Sequence, residues 1–148
     1  MNKLIKLRNT LDLTKGIVCI GDPWYDSASL KLEIKKGHYD CYVKINESTN
    51  RVIRMIIMPK DTEIDEMSIN APLNIVTVDS GTMSIRDKWV NSSSIKNDLK
   101  FMNERNSSAM LLQEENIFLA RTGFGDGMYS VSGYFNNKDV LIAIKIDF

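Results

Sequence analysis

The sequence predicts a mainly β (α+β) domain, an antiparallel sheet that is curled or folded into a small sandwich and carries one short helix. Apolar and polar residues alternate in several segments, most clearly in 128–135 and 140–148, which flank a polar turn and predict a closing hairpin. Gly, Asn, Asp and Pro residues separate the segments, as in β-rich proteins. We treat residues 1–148 as a single domain, because this length fits one continuous core.

The first half of the chain contains three strand-like segments. Residues 30–35 alternate apolar and charged side chains, and residues 39–45 resume the alternation after a turn at 36–37. We interpret these two segments as a β-hairpin with one face exposed to water. Residues 51–58 form an almost continuous apolar run that ends at Pro59, which predicts a central strand.

The second half adds further strands and the only helix. Residues 73–78 and 82–85 predict two strand segments, joined either as a tight hairpin or as one long bent strand. Residues 93–104 place apolar side chains at helical spacing after a serine-rich cap, and therefore predict a short surface helix. Residues 117–120 form another apolar strand segment.

The charge balance gives the chain no overall attraction to charged partners. The chain has 19 basic and 19 acidic residues, so no net charge attracts it to nucleic acid or to an anionic membrane. We therefore do not expect DNA binding. Because an antiparallel sheet of this size leaves two edges, the sequence is compatible with a homo-oligomer that pairs them.

Cys19 and Cys41 both lie in apolar segments, and their spacing does not fit a thiolate zinc site. We predict two buried thiols in a reducing compartment. Residues 1–13 lack the apolar core of a signal peptide, and the chain has no run of about 18 apolar residues. These features predict a cytoplasmic protein without a membrane segment.

His38 is the only histidine. By alternation it shares the water-exposed face of its strand with Asp40, Tyr42 and Lys44, so we expect an exposed side chain. The chain has no Gly-x-Ser-x-Gly motif that would supply a serine nucleophile for this histidine. We therefore predict no catalytic residue and favour a protein that is not an enzyme.

Three turns that combine glycine with aspartate follow or precede the apolar segments. Their sequences are Gly-Asp-Pro-Trp-Tyr at 21–25, Val-Asp-Ser-Gly at 78–81 and Gly-Phe-Gly-Asp-Gly-Met-Tyr at 123–129. Together with the final Ile-Asp-Phe, this order of motifs resembles an uncharacterised bacterial and phage family, a domain of unknown function. The resemblance spans roughly residues 16–148. It implies the β-rich fold, the positions of the motifs and a phage and host setting, but no reaction.

If these turns meet at one end of the sheet, their carboxylates, aromatic rings and backbone amides could form a ligand site. We therefore predict a binding module for a small polar or nucleotide-like ligand, without a cofactor or a bound metal. The predicted ligand-binding residues are Asp22, Trp24, Tyr25, Asp79, Ser80, Gly125, Asp126 and Tyr129.

Three other interpretations remain open at this point. Asp22, Asp79 and Asp126 could hold Mg²⁺ or Ca²⁺ in a metal-dependent phosphoester hydrolase. The same carboxylates could instead accept hydrogen bonds from nearby backbone amides and serve only the architecture of the turns. Finally, the protein could inhibit a protein partner through a sheet edge, with no role for the turns.

Overall fold

The computed structural model describes residues 1–24, 29–88, 108–112, 115–123 and 125–148. These residues contain eleven strands: β1 (Asn2–Asp12), β2 (Ile17–Gly21), β3 (Leu30–Glu33), β4 (His38–Asn46), β5 (Arg51–Pro59), β6 (Ala71–Val78), β7 (Thr82–Asp87), β8 (Ala109–Leu112), β9 (Ile117–Arg121), β10 (Gly127–Phe135) and β11 (Leu141–Asp147). Sheet 1 has six strands in the order β1-β4-β5-β11-β10-β6, and sheet 2 has five in the order β3-β2-β7-β9-β8. The mainly β, antiparallel class predicted from the sequence is confirmed.

The main hydrophobic core lies between the two sheets, which makes the fold sandwich-like. Strand alternation directs one set of side chains inward, as β4 illustrates. Tyr39, Cys41 and Val43 belong to the core and are at most 2% exposed. Ile20 and Phe118 meet them from sheet 2 and are fully buried. At about 25 cal/mol per Å² of apolar surface, burial of such side chains is the main source of stability.

The predicted hairpin of residues 30–35 with residues 39–45 is wrong. The segments 30–35 and 39–45 do not pair with each other, because β3 pairs with β2 and β4 pairs with β1 and β5. The turn at 36–37 instead carries the chain from sheet 2 to sheet 1. Of the two alternatives for residues 73–78 and 82–85, the tight hairpin is excluded, because β6 belongs to sheet 1 and β7 to sheet 2. The choice between neighbouring and distant strands as partners depends on inter-sheet packing, which local alternation does not encode.

Other local predictions are confirmed. β5 lies between β4 and β11 as a central strand, and β10 and β11 form the closing hairpin. Cys19 and Cys41 are buried free thiols, and His38 is exposed. The helix predicted over 93–104 lies outside the described residues. Within the described ranges, the helical structure is a single 3-10 turn at Glu66–Ser68, and no helix is long and apolar enough to cross a membrane.

The segment between β5 and β6, residues 60–70, crosses the outer face of sheet 1, and we call it the strap. Its carboxylate Glu66 forms ion pairs with Lys44 at 2.8 Å and with Arg54 at 2.7 Å. Ile69 of the strap packs with Ile56, Met58 and Ala143 of the sheet in a second apolar cluster. The strap therefore covers part of a face that the alternation of β4 predicts to be open to water.

The strap also explains the burial of Asp40. Alternation places this residue on the exposed face with His38, yet Asp40 is only 3% exposed. Its carboxylate accepts a hydrogen bond from the backbone N–H of Asp61 in the strap at 3.1 Å and lies 3.3 Å from the Lys6 ammonium. A buried carboxylate requires such partners, because removal from water disfavours its charge.

Candidate functional site

The three acidic glycine turns lie at one end of the sandwich. β2 ends at Gly21 and β6 ends at Val78, while β10 begins at Gly127, which is paired directly with Val78. The turn before β10 is therefore a neighbour of the turn after β6. The region formed by residues 22–24, 79–81, 122–123 and 125–127 is called the turn cluster below.

The carboxylate of Asp22 joins the first turn to the second. Its Oδ1 accepts hydrogen bonds from the backbone N–H of Trp24 at 2.9 Å and from the hydroxyl of Ser80 at 2.7 Å. Its Oδ2 accepts the backbone N–H groups of Asp79 at 2.8 Å and Ser80 at 2.7 Å. These four hydrogen bonds match the roughly four lone-pair sites of a carboxylate. Asp22 is 3% exposed, so its charge stabilises the turns from inside.

Thr122 joins the second turn to the third. Its backbone N–H donates to the carbonyl oxygen of Gly81 at 3.0 Å, and its own carbonyl accepts the N–H of Gly125 at 2.9 Å. Gly81 and Gly125 adopt positive φ angles of 70° and 76°, which favour glycine because it has no Cβ. The side chain of Asp126 lies close to Gly81, with Oδ1 3.8 Å from where a Cβ on that glycine would stand.

Tyr129 supports the third turn from the core. Its hydroxyl donates to the carbonyl oxygen of Gly125 at 2.6 Å, and its ring packs edge-to-face on Phe148 with centroids 5.2 Å apart. Only 7% of its surface is exposed. The predicted ligand-binding residue Tyr129 therefore lies beneath the turn cluster and fixes the position of Gly125.

The outer rim of the turn cluster remains in contact with water. Trp24 is 43% exposed, and Asp79, Ser80 and Asp126 are also exposed. Tyr25, predicted as a further ligand-binding residue, lies outside the described residues. The structure thus separates an internal support, which includes Asp22 and Tyr129, from a surface that offers an indole and two carboxylates.

This separation bears on the metal interpretation. A hard cation requires oxygen ligands with unoccupied lone pairs, and the four hydrogen bonds to Asp22 engage both of its oxygens. In the described part of the chain, no group of three or more His, Cys, Asp or Glu side chains is placed to hold a metal ion. The geometry of Asp22 therefore favours an architectural role.

A small cavity adjoins the cluster through Thr122 and Gly123. Its volume is about 140 Å³, and it is lined by Asn50, Arg51, Val52, Ser108, Arg121, Thr122 and Gly123. Two arginine residues, Arg51 and Arg121, thus contribute to its wall. Typical small-molecule pockets measure about 300–1,000 Å³, so this cavity would hold only part of a ligand.

Sequence analysis missed Thr122, which belongs to the turn cluster, and Ser84, which lies on β7 beside it. Thr122 is 4% exposed, and the hydroxyl of Ser84 donates to the carbonyl oxygen of Gly21 at 2.8 Å. The position of Thr122 between an apolar strand and a glycine turn was the available signal, since hydroxyl residues often satisfy backbone groups there. No sequence pattern marked Ser84, because its partner is distant in the chain.

Comparisons of the chain with models of known protein families, with curated proteins and with solved structures gave no match.

Proposed function

We propose that this protein is a non-enzymatic binding module whose ligand is a small polar, nucleotide-like molecule held at the rim of the turn cluster. One observation carries the proposal. The buried carboxylate of Asp22 is bonded fully to the first two turns, so it fixes them in place while Trp24, Asp79 and Asp126 stay at the surface. A preorganised rim of this kind lowers the ordering cost of binding.

The chemistry of the rim indicates which part of the ligand it holds. An exposed indole stacks on planar groups, and carboxylates accept hydrogen bonds from amino groups. A nucleobase or a guanidinium group offers both features. Phosphate would be repelled by Asp79 and Asp126, so a nucleotide would present its base to the rim. Its phosphate suits the neighbouring cavity, whose wall includes Arg51 and Arg121.

The hydrolase alternative has weaker support, since it needs Asp22 as a metal ligand. The resemblance to a bacterial and phage family adds a biological setting to the proposal but no chemistry. In that setting the ligand would be a small molecule present when a phage meets its host.

The test measures melting temperature and binding heat for purified protein with a panel of nucleotides, including cyclic and ADP-ribose-type compounds, first with EDTA and then with Mg²⁺. A ligand that binds the folded state stabilises it by mass action and so raises the melting temperature. At a free ligand concentration of a hundred times Kd, the free energy of unfolding increases by roughly 2.7 kcal/mol. We expect a shift in EDTA that Trp24→Ala and Asp126→Asn remove. Asp139→Asn is the matched control, because Asp139 is an exposed turn carboxylate beyond the other end of β10.

Two outcomes would contradict the proposal. A shift that requires Mg²⁺, together with phosphoester cleavage lost in Asp126→Asn, would support the hydrolase. If no compound shifts the wild type, small-ligand binding at the rim is wrong.

A second candidate function is supported by the β6 edge of sheet 1. Residues 71–78 contain no charged side chain, Ile75 is 61% exposed, and the adjacent Met128 on β10 is 74% exposed. Natural edge strands usually carry charges that prevent pairing with another chain. A protein partner, or a second copy of the chain, could therefore add a strand here. Light scattering tests the second copy: a dimer that Ile75→Lys converts to a monomer supports it, and a monomeric wild type excludes it.

A further inference from the structure

An open groove of about 520 Å³ lies between the strap and the outer face of sheet 1, on the side of edge strand β1. It is lined by Leu4, Tyr42, Ile56, Met58, Glu63, Ile64, Asp65 and Glu66. The floor comes from three neighbouring strands of the sheet, and the strap forms one wall. This groove is separate in the fold from the turn cluster and has no role in the function proposed above.

The floor of the groove is apolar. Ile56 is fully buried and Met58 is 4% exposed, whereas Leu4 at the mouth is 44% exposed. Ile56 and Met58 belong to the apolar cluster beneath the strap, against which Tyr42 and Ile64 also pack. An apolar side chain that entered the groove would therefore meet well-packed hydrophobic surface and would displace water from Leu4.

All three charged residues that line the groove are acidic. Glu66 is neutralised locally by Lys44 and Arg54. Glu63 and Asp65 lie exposed on the same wall, and the Asp65 carboxylate accepts a hydrogen bond from the Met67 N–H at 3.0 Å. The groove therefore combines an apolar floor with a negative rim.

The charge of Glu63 acts on Tyr42 at the floor of the groove. Burial raises the pKa of the Tyr42 hydroxyl, and the negative charges of Asp40 and Glu63 raise it further, against the opposing effect of Lys6. The Glu63 carboxylate is thus close enough to act on a group inside the groove.

We propose that this groove docks a basic amphipathic peptide segment of a partner protein. An aliphatic or aromatic side chain of the segment would occupy the floor between Leu4 and Met58. Lysine or arginine side chains on either side of it would pair with Glu63 and Asp65. The negative rim repels nucleic acid and anionic membranes, and this charge complementarity is the reason for choosing a basic peptide as the occupant.

Fluorescence anisotropy with a labelled synthetic peptide, in which lysines flank two leucines, tests the proposal. We expect Glu63→Lys to weaken binding about fivefold to tenfold. The substitution changes the charge at this position from −1 to +1, a few ångströms from the cations of the peptide and in contact with water. Leu4→Ser should also weaken binding, through the loss of apolar contact. Salt at about 0.5 M should reduce the affinity of the wild type further.

Glu33→Lys is the matched control, since Glu33 is an exposed glutamate on β3 of sheet 2, and it should leave the affinity within about twofold. Trp24→Ala should also have no effect, which separates this groove from the turn cluster. The proposal is wrong if the peptide does not bind, if a peptide with serines in place of the leucines binds equally well, or if Glu33→Lys weakens binding as much as Glu63→Lys. Thermal melting of each variant verifies that it is folded.

Discussion

The hydroxyl of Tyr129 donates a 2.6 Å hydrogen bond to the carbonyl oxygen of Gly125, four residues earlier in the chain. The bond ties the glycine turn to the core, because the Tyr129 ring packs on Phe148 below it. The surface position of Asp126 thus depends on a side chain that is itself almost fully buried. Tyr129 therefore links the rim of the turn cluster to the core of the sandwich, through its hydrogen bond to Gly125 and its packing on Phe148.

Replacement of Tyr129 by Phe should remove this bond and keep the ring packing. We expect a loss of about 1 kcal/mol in the free energy of unfolding, measured by urea denaturation. The loss stays modest because the hydroxyl of Thr122 also donates to the Gly125 carbonyl. Tyr134→Phe, on the outer face of sheet 1, is the control. Equal effects of the two substitutions would show that the hydroxyl of Tyr129 has no special role.

Asp22→Asn should destabilise the protein far more than Asp79→Asn. An amide nitrogen in place of one Asp22 oxygen cannot accept the N–H and O–H groups that now point at it, and it leaves buried donors unsatisfied. We expect a loss of about 3 kcal/mol for Asp22→Asn. The exposed side chain of Asp79 should give a change within about 0.5 kcal/mol. Similar values in urea denaturation would contradict the architectural role of Asp22.

Acid should weaken the attachment of the strap through Glu66. Burial raises the pKa of Glu66, but the hydrogen bonds and charges of Lys44 and Arg54 outweigh this effect and lower it below the ordinary value of 4.5. Because the folded-state pKa is depressed, the stabilisation is complete above the unfolded-state value and is lost as the pH falls through the folded-state pKa.

The measurement is the free energy of unfolding of wild type and Glu66→Gln between about pH 7 and pH 3. We expect the variant to be less stable by roughly 2 kcal/mol at pH 7, because two cations lose part of their pairing. The difference should shrink towards pH 3. A constant difference across this range would show that the ionisation of Glu66 does not stabilise the strap. Glu47→Gln is the control for charge removal, because Glu47 is exposed.

The cysteines should be inert in the folded protein. Cys19 and Cys41 are at most 1% exposed, and burial raises the pKa of the Cys41 thiol strongly. Since the thiolate is the reactive form, Ellman's reagent should titrate no thiol rapidly in the native state and both of the 2 thiols after denaturation. A thiol that reacts within the mixing time under native conditions would disprove this burial.

Local patterns predicted strands but not all of their partners. The alternation in residues 140–148 led to the correct β10–β11 hairpin, since a short turn brings adjacent strands together. The same reasoning failed at 36–37, because the two flanking strands belong to different sheets. The burial of Asp40 was also missed. It depends on the strap, which approaches β4 from a different part of the chain.

The candidate site was predictable to a similar extent. Glycine and aspartate marked all three turns, because these residues have few other reasons to follow apolar strands. From the sequence, these turns could meet at one end of the sheet, and in the structure they do. The sequence could not show that Asp22 is buried and Asp126 is exposed, since each of these residues follows a glycine in a similar turn. The long-range hydrogen bonds of Asp22 with Asp79 and Ser80 distinguish the two residues.

Among the described strands, β11 is the last along the chain, yet it lies in the middle of sheet 1 between β5 and β10. During synthesis on the ribosome, Met55 and Ile57 on β5 are made first. They can pair only after Ile146 and Ile144, their cross-strand partners about 90 residues later, have been synthesised. Until then β5 presents an unpaired apolar edge, the kind of surface that aggregates or recruits chaperones. Production of this protein in cells should depend on how well that nascent edge is protected.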